Sequence, residues 1–236
     1  MPSLIPLRLA LLALTLGLAS AAHGQSSCSS DGQPRPTALL ERFINADCAN
    51  CWADSATARA RRGEIALDWI APGTRGDDAP LSVAATRDAL GRLQALGQSL
   101  PPARMDNTSS LRGMQNNVLR VAHGLPVSGY VGASIEFKSP ARTANAQPWT
   151  AWLALVEAIP VGTEGSPVAR NLVRNVFQSR WNADQKLSKK ERLSFSDARS
   201  MDIPQGMNTE RLRIIGWVQD AEGRIIGAAQ SRCARP

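Results

Sequence analysis

The sequence lacks the features that define several large classes of protein. Four cysteines in 236 residues are too few for a disulfide-dense scaffold, and two histidines offer little for a zinc site. We find no glycine-rich phosphate loop, serine-hydrolase elbow, paired-carboxylate motif or internal repeat. The hydrophobic fraction of 43% is ordinary for a folded protein, so the chain is not disordered as a whole.

Acidic residues are outnumbered by basic ones, 20 against 27, which gives a formal net charge of +7. Such an excess of positive charge suggests nucleic acid or an anionic membrane surface as a binding partner. The basic residues are mostly single arginines, however. The cluster Arg59-Ala60-Arg61-Arg62 lacks the interleaved aromatic residues that a base-stacking surface requires. We therefore expect solvated arginines and no nucleic-acid partner.

The first 24 residues have the pattern of a secretory signal. Arg8 precedes an apolar run over residues 9–18, and residues 22–24 (Ala-His-Gly) fit the small-x-small rule for cleavage after Gly24. Residues 19–21 offer a second cleavage site, and an uncleaved anchor is the alternative. Because the run is shorter than the roughly 20 residues of a membrane-spanning helix, we expect a periplasmic or secreted protein with no stable membrane span after cleavage.

The segment from residue 25 to residue 125 alternates predicted strands and helices. A polar arm comes first, followed by two segments with strand patterns at residues 38–44 and 64–70. Helical spacing of apolar or alanine residues, with suitable end signals, occupies residues 52–62, 80–97 and 109–124. This order predicts an α/β domain.

The pattern changes at Pro126, after which short apolar runs are separated by Gly, Pro and Ser. The runs at 131–137 and 149–159 predict strands, while 172–177 fits either a strand or a helical turn. Runs at 212–218 and 224–229 flank a turn that contains Gly223, which predicts a β-hairpin. We expect a β-sandwich-like domain over residues 126–236, with a charged surface loop at 186–192.

Cys48 and Cys51 form a Cys-x-x-Cys pair between a predicted strand and a predicted helix. At a helix N-terminus, unpaired amide groups and the helix dipole lower the pKa of the first thiol. Cys48 would then attack a disulfide, and Cys51 would resolve the mixed disulfide. The charge of Asp47 opposes this by raising the pKa of Cys48. Glu41, on the preceding strand, is a candidate for moving protons for Cys51 or else points to solvent.

These residues carry a resemblance to a known family. Residues 40–43, 48–54, 65–69, 170–174 and 225–229 are similar to segments of a bacterial secreted family of unknown function. That family joins an N-terminal thioredoxin-like domain to a β-rich C-terminal region. The resemblance implies a thioredoxin-like fold and redox activity but no known substrate. Thioredoxins also place a cis-proline opposite the dithiol, and Pro101 and Pro102 lie at about the right chain distance. Asp47 and Trp52-Ala53 depart from the Gly and Pro-Pro of the family.

Four cysteines allow three disulfide pairings. We favour Cys48 with Cys51 and Cys28 with Cys233, the latter tying the N-terminal arm to the last strand. A dithiol that binds Cu(I) is an alternative, but we expect no metal site and no cofactor. His123, the sole histidine after cleavage, is predicted to be a cation at a helix C-terminus rather than a catalyst.

Two functions from different classes follow from these observations. The first is an exported thiol–disulfide oxidoreductase in which Cys48 attacks, Cys51 resolves, and the client is an unidentified protein dithiol or disulfide. The alternative is a non-catalytic exported binding or structural module whose disulfides are structural. The departures at Asp47 and Trp52 motivate the alternative. Trp52, which follows Cys51, is a candidate for one wall of a docking surface.

Overall fold

The computed structural model describes residues 28–111, 118–139, 148–182 and 193–233. The predicted signal at residues 1–24 and the predicted charged loop at 186–192 lie outside these ranges. No helix in the described part of the chain is long and apolar enough to cross a membrane.

Two β-sheets contain most of the regular structure. The five-stranded sheet has the spatial order β12 (Arg232–Cys233), β1 (Cys28–Ser29), β5 (Val118–His123), β6 (Tyr130–Ser139) and β9 (Leu193–Asp202). The seven-stranded sheet has the order β11 (Ile225–Gln230), β10 (Leu212–Gln219), β7 (Trp149–Ile159), β8 (Arg170–Trp181), β3 (Glu64–Ala71), β2 (Ala38–Asn45) and β4 (Arg104–Ser110). β3 runs parallel to β2 and β8, and the other described pairs are antiparallel.

The helices in the described residues are short. The α-helices are α1 (Ala49–Trp52) and α2 (Arg87–Ala95), and 3₁₀ helices occupy Gly76–Asp78, Ser82–Ala84 and Thr209–Arg211.

The seven-stranded sheet is covered on both faces. One face packs against the five-stranded sheet, where Ile135 and Phe137 meet Leu153 of β7. The opposite face packs against α2 through Ala89 and Leu93. Side chains of a strand alternate between the two faces, so a strand covered on both sides needs apolar residues at successive positions. This explains the nearly continuous apolar run of β7.

The predicted fold class, an α/β thioredoxin-like domain followed by a β-sandwich-like domain, is wrong. The protein is essentially all-β, because β2 and β3 hydrogen-bond into the same sheet as β7, β8, β10 and β11. Strands from before and after Pro126 occur in both sheets. The predicted boundary between two domains near residue 126 stays a prediction.

The helix predicted at 52–62 is wrong, and local side chains explain why. The described helix α1 ends at Trp52. The Asp54 carboxylate then accepts a hydrogen bond from the Ala56 amide, and the Arg42 guanidinium donates to the Ala58 carbonyl oxygen at 2.7 Å. Such bonds offer the backbone a partner outside a helix. The segment therefore follows an irregular path between β2 and β3.

The helix predicted at 109–124 is also wrong. Its described parts belong to the end of β4 and to β5, which pairs with β6 from Val118 to His123. Pairing across a sheet overrides a helical spacing of apolar residues because valine packs well on a pleated surface. The helix predicted at 80–97 is right only over α2, which is followed by Gly97 at φ +66°.

Most of the strand predictions are confirmed. The runs at 38–44 and 64–70 form β2 and β3, and the runs at 131–137 and 149–159 form β6 and β7. The segment at 172–177 is part of β8. The predicted hairpin consists of β10 and β11, which pair across the turn at Gly223.

Candidate functional site

All four cysteines are in disulfides, one joining Cys28 to Cys233 and the other joining Cys48 to Cys51. Cys51 is buried on one face of the seven-stranded sheet, against Ile44 of β2, and Cys48 precedes α1. Because α1 has only four residues, its dipole is much weaker than that of the long helix predicted to lower the pKa of Cys48. The pairing is the one favoured from the sequence.

Glu41 lies on the other face of the sheet from Cys51. Side chains alternate along β2, so Ile44 points to the disulfide while Glu41 and Phe43 point to α2. Both carboxylate oxygens of Glu41 accept hydrogen bonds of 2.7 Å from the guanidinium of Arg92. The structure therefore does not bring Glu41 to Cys51, which removes the geometric basis for the predicted proton transfer.

The Glu41–Arg92 pair has a structural environment of its own. Arg92 also donates to Gln219 at 2.9 Å, and its guanidinium carbon lies 5.0 Å and 5.2 Å from the ring centres of Trp152 and Trp217. Both partners of the pair are completely buried. A buried charge is tolerated only with such hydrogen bonds and aromatic contacts. This pair fixes α2 onto the sheet.

The predicted cis-proline is not present. The described residues contain no cis peptide bond, so Pro101 and Pro102 are both trans. The segment still adjoins the turn that precedes Cys48, because Asn45 donates from its side chain to the Pro101 carbonyl oxygen at 3.1 Å. The backbone amide of Asn45 donates to the Ala103 carbonyl oxygen at 2.8 Å. Pro101 and Pro102 therefore belong to a hydrogen-bonded connection leading into β4.

Asp47 is held by a neighbouring loop. Its carboxylate accepts hydrogen bonds from the amide and hydroxyl of Thr74 at 2.8 Å and 3.0 Å, and from the Arg75 amide at 3.3 Å. Burial opposes its ionisation, but these hydrogen bonds and the charge of Arg75 outweigh that effect and lower the pKa of Asp47. The loop passes close by at Gly73, where even a methyl group would collide with Asp47 and Asn45.

A buried cluster of charges lies beneath the Cys48–Cys51 turn. Asp68 of β3 accepts one hydrogen bond of 2.6 Å from Arg42 and another of 2.6 Å from Arg170. Arg170 also donates to the Ser166 hydroxyl at 2.7 Å and to the Trp52 carbonyl oxygen at 2.7 Å. Burial lowers the pKa of Arg170, and the charge of Asp68 opposes this. We call Arg42, Asp68 and Arg170 the Asp68 cluster.

The Asp68 cluster fixes the segment after Cys51. The Trp52 ring lies over Arg170 with 4.4 Å between its centre and the guanidinium carbon, and its indole N–H donates to the Glu164 carbonyl oxygen at 2.8 Å. Together with the hydrogen bond from Arg42 to the Ala58 carbonyl oxygen, these contacts hold the segment after Cys51 at two points, Trp52 and Ala58. Trp52 is thereby presented at the surface in one orientation.

An open cavity of about 390 Å³ lies beside Trp52. We call it the Trp52 pocket. Its lining includes the exposed polar residues Gln205 and Asn208 together with Trp52, Ile70, Leu81, Glu157, Glu164, Leu172 and Arg174. Glu157 is 5% exposed and accepts a hydrogen bond from the Asn208 amide, while Arg174 is 8% exposed and its Nε makes no hydrogen bond. The pocket thus combines apolar side chains with one buried carboxylate and one buried guanidinium, while the second carboxylate of its lining, that of Glu164, is half-exposed and pairs with Arg211 at 2.6 Å.

A β-bulge places Arg174 in the pocket. In the pairing of β7 with β8, Val156 lies opposite Val173 and Leu155 lies opposite Asn175, so Arg174 is the extra residue. A bulge re-aims side chains, and bulges are frequent beside functional sites. Leu172, which precedes the bulge, packs next to the Cys51 disulfide on one face of the sheet. Arg174 lies on the same face and lines the pocket.

His123 ends strand β5 rather than a helix, so its predicted role as a helix-terminal cation is wrong. The sequence patterns did not predict the Asp68 cluster or the roles of Glu157 and Arg174. The sequence does contain a signal for three of these residues, because each interrupts an apolar strand run: Arg42, Asp68 and Glu157. A charged residue inside a run that is buried on both faces requires a buried partner.

No family model and no curated protein matches this chain. Among solved structures, HBP35 of Porphyromonas gingivalis is similar with a TM-score of 0.47 and 12% sequence identity. The similarity covers 83% of this chain and 74% of that chain. At this distance the likeness does not bear on function, and the thioredoxin-like domain implied by the sequence resemblance is not confirmed.

Proposed function

We propose that this protein is an exported binding module whose disulfides are structural and whose Trp52 pocket binds a small zwitterionic ligand with an apolar side chain. An apolar amino acid has this chemistry. The observation that carries the proposal is the pair of opposite buried charges, Glu157 and Arg174, in a pocket that also presents the apolar side chains of Ile70, Leu81 and Leu172. Two disulfides are consistent with a periplasmic or extracellular protein, since disulfides persist in oxidising compartments.

The pocket matches such a ligand in charge and size. The ammonium group would pair with the Glu157 carboxylate, the ligand carboxylate would accept from Arg174, and the side chain would contact Trp52 and Leu172. Arginine suits this role because its planar guanidinium binds carboxylates through two parallel hydrogen bonds. A volume of about 390 Å³ lies within the range of small-molecule pockets.

The surroundings of Cys48–Cys51 favour a structural disulfide over a catalytic one. A reactive dithiol needs a lowered thiol pKa and groups that move protons. Here α1 has four residues, Glu41 is paired to Arg92 on the other face, and Asp47 keeps a negative charge next to Cys48. The disulfide closes the turn that leads into Trp52. Its role is therefore to stabilise the position of Trp52 in the pocket wall.

Ligand binding is tested on the purified mature protein with leucine and with N-acetyl-leucine amide, which lacks both charges. We expect leucine to raise the melting temperature in a saturable way and to give a heat of binding in calorimetry, and the blocked analogue to do neither. Arg174→Gln should remove leucine binding. Arg180→Gln, an exposed arginine of the same strand, is the matched control and should bind as the unsubstituted protein does.

Two results would overturn this proposal. One is the absence of binding at millimolar leucine and at millimolar concentrations of other apolar amino acids. The other is rapid exchange of the Cys48–Cys51 disulfide with glutathione, abolished by Cys48→Ser. A structural disulfide should resist glutathione and have a reduction potential below about −300 mV. Rapid exchange would instead support an oxidoreductase with a protein client.

A further inference from the structure

The second disulfide lies next to a histidine in three adjacent strands. In the five-stranded sheet Cys28 of β1 is directly opposite Cys233 of β12 on one side and His123 of β5 on the other. Residues that are directly opposite in a sheet have side chains on the same face. Accordingly, both sulfur atoms and one ring nitrogen of His123 lie within 4.8 Å of one another.

The His123 imidazole has one nitrogen engaged and the other without a hydrogen bond. Nδ1 is 2.9 Å from the Gly124 carbonyl oxygen, which can only accept, so Nδ1 carries the proton. Nε2 then has a lone pair and makes no hydrogen bond, although His123 is only 4% exposed. Burial lowers the pKa of His123, and the hydrogen bond to Gly124 opposes this. Histidines that bind metals are commonly oriented in this way by a backbone carbonyl.

We propose that reduction of the Cys28–Cys233 disulfide converts this cluster into a site for a thiophilic d¹⁰ metal ion, Zn²⁺ or Cu⁺, held by two thiolates and the His123 imidazole. Thiolate and imidazole are the ligands that both ions prefer. Ligand atoms around Zn²⁺ stand about 3.5–3.8 Å apart. The three ligand atoms already lie within 4.8 Å of one another. The two sulfur atoms, bonded to each other in the disulfide, would move apart to the spacing that Zn²⁺ requires once their bond is broken.

The electrons for this conversion come from a dithiol reductant. A thiolate of the reductant attacks the sulfur of Cys233, which is exposed, whereas Cys28 is 3% exposed. The Sγ–Sγ bond breaks, the two electrons and two protons of the dithiol pass to Cys28 and Cys233, and the reductant becomes a disulfide. Metal binding then forms two metal–sulfur bonds and one metal–nitrogen bond and releases the two thiol protons.

The test measures metal binding as a function of oxidation state. In the Cys48→Ser/Cys51→Ser variant Cys28 and Cys233 are the only cysteines left, and a phosphine reductant opens their disulfide without supplying a thiol ligand. Competition with chromophoric chelators measures Zn²⁺ and Cu⁺ separately, and Co²⁺ reports thiolate ligation through its charge-transfer absorption. We expect one equivalent of metal in the reduced form and none in the oxidised form.

His123→Gln in the same variant should weaken binding by more than about tenfold, since the nitrogen ligand is lost. If the Cys48→Ser/Cys51→Ser variant does not fold, reduced unsubstituted protein is compared with reduced Cys28→Ser/Cys233→Ser, which should have lost one binding site. Equal binding in the oxidised and reduced forms would overturn the proposal. So would binding that His123→Gln leaves unchanged, or no binding by the reduced thiols of Cys28 and Cys233.

Discussion

Single charged residues inside the sheets determine how the irregular segments are held. Asp68 is completely buried, and both of its oxygens are bound by guanidinium groups, those of Arg42 and Arg170. These two arginines in turn bind the carbonyl oxygens of Ala58 and Trp52. A chain segment without helix or strand needs other partners for its backbone groups. Asp68 therefore orders, through two arginines, the segment that follows the Cys48–Cys51 turn.

Asp68→Ala should lower the free energy of unfolding by about 3–5 kcal/mol, because two guanidinium groups remain buried without their carboxylate. Urea unfolding followed by circular dichroism measures the change. Asp31→Ala is the matched control, since its pair with Arg120 is largely exposed, and it should cost at most about 1 kcal/mol. Equal losses in the two variants would show that the Asp68 cluster has no special role.

At the scale of elements, the close approach of the two sheets depends on a missing side chain. Gly216 lies in β10 on the face that meets the five-stranded sheet. A methyl group there would lie 2.6 Å from Val121 Cγ1 and 3.0 Å from Ile135 Cδ1. Gly227 in β11 also faces the opposite sheet, but a methyl group would lie 3.4 Å from Phe137. A methyl group on Gly216 would therefore force the packing between the sheets to shift, whereas a methyl group on Gly227 would make an ordinary van der Waals contact.

Gly216→Ala should therefore lower the free energy of unfolding by about 1–3 kcal/mol, the usual cost of overpacking. Gly227→Ala is the matched control in the neighbouring strand and should change it by less than about 0.5 kcal/mol. Thermal and urea unfolding of both variants measure the difference. A neutral Gly216→Ala would mean that the sheets separate more easily than their packing implies.

The elements also show how far sequence patterns predict this fold. Runs at 38–44, 149–159 and 212–218 became strands because alternating or continuous apolar residues fit a sheet whatever its neighbours are. The helix predicted at 109–124 does not form because β5 pairs with β6 and β1. β1 is distant in sequence, and the local pattern of apolar residues does not specify the pairing with β6. Helical spacing is a weak preference, and sheet pairing buries the same apolar residues.

For the whole molecule, the two disulfides constrain very different lengths of chain. Cys28 and Cys233 are 205 residues apart, and their bond joins the first and last described strands. Cys48 and Cys51 are three residues apart. In the chain-entropy model the stabilisation grows with the logarithm of the loop length, to about 5 kcal/mol for the long loop and about 2 kcal/mol for the short one.

Cys28→Ser/Cys233→Ser should therefore lower the free energy of unfolding more than Cys48→Ser/Cys51→Ser, by about 2–4 kcal/mol. Urea unfolding of both double variants, with the oxidised unsubstituted protein as the reference, measures the two losses. The reverse order would indicate that the short disulfide does more than close a turn. Its contacts with the buried face of the seven-stranded sheet would then dominate.

The sequence by itself determined the strand runs and the hairpin, because these depend on local spacing, and it limited the four cysteines to three possible disulfide pairings. Only the tertiary structure decided which strands pair, that Glu41 and Cys51 lie on opposite faces of one sheet, and that Arg174 points into a pocket. A shift of one residue in register moves a side chain to the other face of a sheet. The bulge at Arg174 is such a shift, and a partner strand is needed to reveal it.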